Sequence, residues 1–209
     1  MVIQILGILL LIILSLVTLF LIFWKFWFLR DPVRRIPKGN NIICPADGKV
    51  IKILDLENLK NDNIQIEKGL FGKISTISSD VKNAGYLISI FMTPFDVHVQ
   101  RAPIDGKVTK VKYSRGKFMA ANSVNALYNE NNEILIEDKM SVKVIQIAGF
   151  LARRIECFVK KDEDVLKGKK IGRINLGSQV TMIIPKKVDI KIKLGQKVKA
   201  GETIIANIV

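Results

Sequence analysis

Polarity along the chain changes abruptly after residue 24. Met1 to Trp24 contains no Lys, Arg, Asp or Glu, and residues 2–23 are apolar apart from Gln4, Ser15, Thr18 and a glycine. A bilayer core is crossed by roughly 20 apolar residues in helical form, so this run predicts a transmembrane anchor. It lacks the polar stripe of a surface helix. It also lacks the basic leader, short apolar core and small-residue cleavage site of a secretory signal. Beyond Pro37 the polarity period shortens to two. Strands are predicted after the turn at Pro45-Ala46-Asp47-Gly48, over Tyr86-Leu87-Ile88-Ser89-Ile90-Phe91, over Val142-Lys143-Val144-Ile145-Gln146-Ile147 and over Val180-Thr181-Met182-Ile183-Ile184. The one helix predicted after the anchor is short and covers residues 120–128; the polar stretch around it reads equally as a loop.

Two segments repeat. Pro45-Ala46-Asp47-Gly48-Lys49-Val50-Ile51-Lys52 and Pro103-Ile104-Asp105-Gly106-Lys107-Val108-Thr109-Lys110 share the pattern Pro-x-Asp-Gly-Lys-Val-x-Lys. Asp-Gly is a tight-turn signal because glycine tolerates positive φ. Residues 165–172 and 194–206 share a second rhythm of glycine-punctuated short strands. Such turn-and-strand units resemble the barrel-sandwich β folds of biotinyl and lipoyl carriers, so the expected fold is mostly β (α+β), a barrel-sandwich domain behind one transmembrane helix. The boundaries are residues 1–29 for the anchor and 30–209 for the domain. No carrier lysine in a Met-Lys-Met setting is present, which argues against a swinging-arm carrier.

Charge sets the expected orientation. The chain carries 33 Lys and Arg against 19 Asp and Glu, a net charge of +14. From Lys25 to Lys38 there are five basic residues and one acid, interleaved at the start with Trp24, Phe26, Trp27 and Phe28. Aromatic residues suit the headgroup level, and basic flanks stay on the cytoplasmic side. The domain is therefore expected on the cytoplasmic side of the cell membrane, attracted to an anionic leaflet. Nucleic acid is not an expected partner, since no aromatic-basic recognition module is visible. A homodimer is left open. Two cysteines, Cys44 and Cys157, and one histidine, His98, exclude a disulfide framework, a Cys-rich zinc site and a His-based metal cage. Both cysteines are expected to be reduced and to pack as small apolar residues.

Three segments could carry chemistry. Gly177-Ser178 interrupts a strand-rich run near the C-terminus. His98 lies in Pro94-Phe95-Asp96-Val97-His98-Val99-Gln100-Arg101-Ala102-Pro103, where alternation puts Asp96, His98 and Gln100 on one face. Asp47 occupies the first Pro-x-Asp-Gly turn. Each alone reads equally as a turn, a bulge or a packed polar residue.

Taken in order, Arg30-Asp31-Pro32 after an anchor, Pro45-Ala46-Asp47-Gly48, the His98 segment and Leu176-Gly177-Ser178 resemble the phosphatidylserine decarboxylase family, in its short, archaeal-type branch. The resemblance implies a proenzyme that cleaves itself between Gly177 and Ser178 into a β chain, 1–177, and an α chain beginning at 178. It implies a covalent pyruvoyl cofactor made from Ser178, which forms a Schiff base with the serine amine of a membrane phospholipid and releases carbon dioxide to give phosphatidylethanolamine. Archaetidylserine is the alternative substrate. His98 is the implied proton donor in turnover, its ordinary pKa of about 6.5 letting it give and take a proton near neutrality, and Asp47 the implied processing aspartate. Where one branch of the family has a second histidine, this chain has Arg101, expected instead to hold the substrate carboxylate or phosphate. Two other readings remain: a non-catalytic barrel-sandwich adaptor, which should show a long helical hairpin, and a pyruvoyl decarboxylase for a soluble amino acid, which would need no anchor.

Overall fold

The structure, a computed structural model, describes residues 2–58, 68–117, 119–120, 124–149, 154–175 and 178–209. Helix α1 (Val2–Ile22) buries no residue and runs into a π-helical turn (Phe23–Phe28). Together they form a 27-residue span, charged only at Lys25, whose most apolar stretch is uncovered by protein. A helix apolar on every side needs a lipid surround, so the chain is a membrane protein with one N-terminal spanning helix.

The domain that follows contains β1 (Asn41–Ile43), β2 (Gly48–Asp55), α2 (Lys68–Ser78), β3 (Ala84–Met92), β4 (Val99–Arg101), β5 (Gly106–Ser114), a 3₁₀ turn (Val124–Tyr128), β6 (Asn131–Glu137), β7 (Ser141–Ile147), β8 (Arg154–Cys157), β9 (Asp164–Val165), β10 (Lys170–Asn175), β11 (Ser178–Pro185), β12 (Val188–Ile190), β13 (Lys197–Val198) and β14 (Ile204–Ile208). An eight-stranded sheet runs β13-β2-β3-β11-β7-β6-β5-β9, and two three-stranded sheets run β1-β14-β12 and β4-β10-β8. One face of the large sheet contributes Val50, Ile90, Val144, Val180 and Met182 to a core shared with Ile42 and Ile205 of one small sheet and Ile171 and Ile174 of the other. The opposite face puts Leu87, Ile145, Ile147 and Ile183 against Ile74 and Ile77 of α2 and Ala126 and Leu127 of the 3₁₀ turn.

The strand orders are internally symmetric. Reading the large sheet from either end meets a two-residue strand, a strand opened by the Pro-x-Asp-Gly repeat, its hairpin partner, and then one of the two central strands. The register repeats as well. Lys49 opposes Phe91 and Lys107 opposes Glu137; each repeat has a register shift, between Val50 and Lys52 and between Val108 and Lys110. Ile43 N–H donates to Pro103 O at 3.0 Å and Arg101 N–H to Pro45 O at 2.9 Å, a reciprocal pair. Asp47 Oδ1 accepts from Ala200 N–H at 2.7 Å, and Asp105 Oδ1 accepts from Lys167 N–H at 2.8 Å. The repeated glycines are obligatory: Gly48 (φ +142°) and Gly106 (φ +149°) would place a Cβ 2.2 Å from Phe91 O and 2.6 Å from Glu137 O. The domain is thus two like halves. One is built from β1–β3 and β11–β14, the other from β4–β10, inserted between β3 and β11.

The segment after the anchor straps the halves together. Ile36 packs on both Gly168 and Gly201, matching positions at positive φ, where a Cβ would lie 2.4 Å and 3.0 Å from its side chain. Arg34 holds Asp47 through two 2.9 Å bonds. Asp31 pairs with Arg101 at 2.6 Å and also with Lys170.

These observations revise four expectations. The repeats do form turn-and-strand units, but the large sheet curls only into a half-barrel and does not close as a barrel-sandwich. Its edges, β13 and β9, are two-residue strands, too short to pair around a closed barrel. Helix α2 was not read from the sequence. Its Ile74 and Ile77, with Val81 just beyond, lie at helical spacing and are buried, but the helix is only 11 residues long. Of the predicted residues 120–128, the described helical part is the 3₁₀ turn, and 121–123 lie outside the described residues. Cys44 packs in the core, where burial pushes its thiol up to about 12, whereas Cys157 is exposed.

Candidate active site

The chain passes between the two halves twice, from β3 to β4 and from β10 to β11, and the strand ends and connections at these two crossings carry two of the sequence candidates. Gly177 lies outside the described residues. Ser178 opens β11, opposite Met92 at the end of β3, and is fully buried. Its hydroxyl donates to Met92 Sδ at 3.4 Å, and Gln100 Nε2 approaches the same sulfur at 3.7 Å. Register extends this rung: Lys49 opposes Phe91, which opposes Gln179, so Gly48, Met92 and Ser178 lie level across three adjacent strands.

His98 sits at the end of the other crossing, immediately before β4. Its Nδ1 is 2.9 Å from Asp96 O. A carbonyl only accepts, so Nδ1 carries the proton and Nε2 presents a lone pair. That Nε2 is buried and has no hydrogen-bond partner. Burial, partly opposed by the Asp96 carbonyl and carboxylate, lowers the imidazole from 6.5 to about 4. The expected titration near neutrality is therefore corrected. At neutral pH His98 is an uncharged base whose conjugate acid is strong. Phe28, at the foot of the anchor, packs against the ring with centroids 4.2 Å apart and planes tilted by 35°.

The backbone of His98 is held from two sides. Its carbonyl accepts Ile174 N–H of β10 at 3.3 Å and Gln100 Nε2 at 2.8 Å. Gln146 Nε2 donates to Gln100 Oε1 at 2.8 Å, and Asn132 Nδ2 donates to Gln146 Oε1 at 2.9 Å. This buried amide chain was not read from the sequence. Its members come from β4, β6 and β7, and no local spacing announces their meeting. At the second crossing, Asn175 Oδ1 is a further buried acceptor without a partner. Two unpaired buried acceptors at the crossings fit a site that receives a polar, donor-bearing group.

Asp47 and Arg101 are placed differently from Ser178 and His98. Asp47 lies one residue before the rung of Ser178, with its carboxylate bound by Arg34 and by Ala200 N–H. Arg101 points into the strap: its guanidinium donates to Asp31, to Gly168 O at 3.0 Å and to Pro32 O at 3.4 Å. In this structure its donors face protein partners.

The anchor is stitched to the His98 crossing. Phe23 meets Phe95 edge-on at 6.0 Å, and Arg30 bridges the carbonyls of Trp27 and Phe95. The site therefore stands at the foot of the membrane span.

The phosphatidylserine decarboxylase family model matches residues 21–206. A phosphatidylserine decarboxylase proenzyme of Chlorobium limicola is 42% identical over 182 residues, covering 86% of this chain and 76% of its own. One from Chlorobium phaeobacteroides is 44% identical over 181 residues, 85% and 76% of the two chains. A protein of Methanocaldococcus jannaschii, named provisionally as an archaetidylserine decarboxylase proenzyme, is 44% identical over 183 residues, 86% and 87% of the two chains. Bacterial and archaeal relatives thus match equally well, so identity alone does not separate the two branches. With its spanning helix, its buried serine at the second crossing and this match along most of its length, the chain belongs to the phosphatidylserine decarboxylase family.

Proposed function

We propose that the chain is a self-processing, pyruvoyl-dependent decarboxylase of a membrane phosphoserine lipid, cleaved between Gly177 and Ser178. The observation that carries this reading is the placement of Ser178, fully buried where one half of the fold crosses to the other. Ser178 Oγ attacks the Gly177 carbonyl, exchanging the peptide bond for an ester. Loss of the Ser178 α-proton then expels the Gly177 carboxylate. Water replaces the nitrogen of the resulting unsaturated residue, which leaves as ammonia, and a pyruvoyl ketone caps the new α chain. Asp47 acts in this stage as a positioning residue: it ties the strap to the turn beside the Ser178 rung through Arg34.

A ketone at position 178 would supply an electrophile for the substrate amine and a sink for the electron pair released with carbon dioxide. The chain's own part in turnover is proton transfer and exclusion of water. His98 Nε2 takes a proton from the substrate ammonium as its nitrogen is freed to condense, and, because burial makes its conjugate acid strong, returns that proton readily to carbon. Arg101 secures Asp31 and the strap in the uncleaved chain; in turnover it is the proposed ligand of the headgroup carboxylate or phosphate. Chains 1–177 and 178–209 stay associated, since β11 is paired on both sides and β14 is the middle strand of its sheet.

The domain is assigned to the cytoplasmic side, supported by the basic flank from Lys25 to Lys38. Protease protection of the domain in sealed right-side-out vesicles checks this; digestion from outside contradicts it. Borohydride added with diacyl phosphatidylserine or with ether-linked archaetidylserine tests the activity. Lipid mass on the 178–209 fragment with one of them identifies the substrate, and no adduct with either overturns the reading.

A further inference from the structure

The anchor ends in contact with the site. Phe28 is the only residue of the spanning segment that is fully buried, and its ring lies 4.2 Å from the His98 ring. Trp24 stacks on its other face at 4.5 Å and 11° between planes. The π-helical turn makes this possible: Leu29 N–H donates to Trp24 O at 3.0 Å, a five-residue step that brings Trp24 and Phe28 into line. The remainder of α1 buries nothing. One side of the His98 ring is thus covered by the anchor, while the Asp96 carbonyl fixes Nδ1.

We propose that Phe28 is a positioning residue of the active site, completing from the membrane anchor the wall that orients the His98 ring and keeps water from it. The anchor then has two separable parts. Residues 2–22 supply the span, and the Phe23–Phe28 turn supplies a piece of the site. The charged groups acting on His98 are Asp96, on its own crossing, and Arg30, just beyond the anchor. Neither supplies the apolar cover that makes the ring dry. That cover includes Phe28, whose removal admits water and favours the protonated ring.

This inference rests on the reading of His98 as the proton carrier, but its test is independent of turnover. The chain has one histidine, so isotope-labelled histidine gives a single imidazole signal. In full-length Ser178→Ala protein in lipid nanodiscs, His98 is expected to titrate near the value of about 4 set by its burial. Phe28→Ala is expected to raise the midpoint by more than about one pH unit toward the ordinary value of about 6.5, and Phe28→Leu by less. Phe26→Ala, on an exposed ring of the same turn, is expected to leave it unchanged. In the cleavable chain, Phe28→Ala is expected to lower turnover about tenfold or more with membrane attachment intact. Exchanging residues 2–22 for an unrelated apolar helix is expected to leave turnover unchanged. The proposal is overturned if the midpoint is the same with Phe, Leu and Ala at position 28, or if Phe26→Ala moves it as far. A shifted midpoint with unchanged turnover overturns the role of His98 instead.

Discussion

The two halves of the domain make the same hairpin and finish it differently. In one, β6 and β7 are joined by Asp138, Lys139 and Met140, and Ser141 Oγ caps the turn by donating to Glu137 at 2.7 Å. In the other, β3 and β11 hold the same relation, but the chain leaves after Met92 and returns at Ser178, with the whole second half in between. Register makes Ser178 the counterpart of Met140. A closed hairpin turn satisfies its own backbone and faces solvent. An opened one leaves two strand ends side by side in the interior, with two crossings available to carry functional groups. Ser178 and His98 occupy those crossings, so the candidate chemistry stands where the symmetry is broken.

Changes on the crossings should affect function far more than matching changes in the closed half. The largest effect is expected for Ser178→Ala, which leaves no hydroxyl to attack the Gly177 carbonyl and no ester to eliminate; denaturing electrophoresis should show one uncleaved chain with no decarboxylation. His98→Ala should come next, lowering turnover by about 10²- to 10⁴-fold, the range for a positioned acid–base group, while self-cleavage continues. If it stops cleavage as completely as Ser178→Ala, the division of roles between His98 and Asp47 is wrong.

The matched aspartates give the sharpest pairwise comparison. Both accept one backbone N–H in equivalent turns, but only Asp47 also carries the Arg34 pair. Asp47→Asn should cost roughly 1.5–3 kcal/mol, as for a lost hydrogen bond to a charged partner, and should let uncleaved proenzyme accumulate. Asp105→Asn changes an exposed turn, should cost under about 1 kcal/mol, and should cleave normally. Equal processing of the two variants would remove Asp47 from the account.

The smallest effect on activity near neutrality comes from a pH dependence of stability. His98 titrates near 4 when folded and near 6.5 when exposed. Between those values the unfolded chain binds a proton that the folded chain does not. Its contribution to stability is therefore flat above about pH 6.5 and falls as pH drops toward 4, by at most about 1.4 kcal/mol per unit. Asp80, held at about 2 by hydrogen bonds from Lys110 and Lys143, contributes loss only below its ordinary 3.8. Denaturant melts of Ser178→Ala protein with and without His98→Leu isolate the histidine; identical slopes between pH 4 and 6.5 would contradict its dry environment.

The anchor, the principal strands and the two Asp-Gly turns were legible because their signals are local: hydrophobic run length, alternation and a residue pair suited to positive φ. Strand order was not, since one half is inserted into the other and its copies recur at two different separations. The half-barrel was missed because closure depends on how long β13 and β9 are, which a repeated turn motif does not encode. At the site, Ser178 and His98 could be picked out by residue type and sequence context. The lowered pKa of His98 could not, because Phe28, 70 residues away, helps create it. The Asn132–Gln146–Gln100 chain was silent for the same reason: three ordinary amides become a device only when β4, β6 and β7 bring them together.

The most direct test of the account is denaturing mass spectrometry of the full-length protein purified from membranes. The account predicts two chains that separate only on denaturation, with the fragment beginning at position 178 blocked at its N-terminus, carrying a ketone in place of the serine amine and a methyl in place of its hydroxymethyl. A single intact chain in a preparation that decarboxylates lipid would contradict it, as would a 178–209 fragment with an ordinary serine at its start.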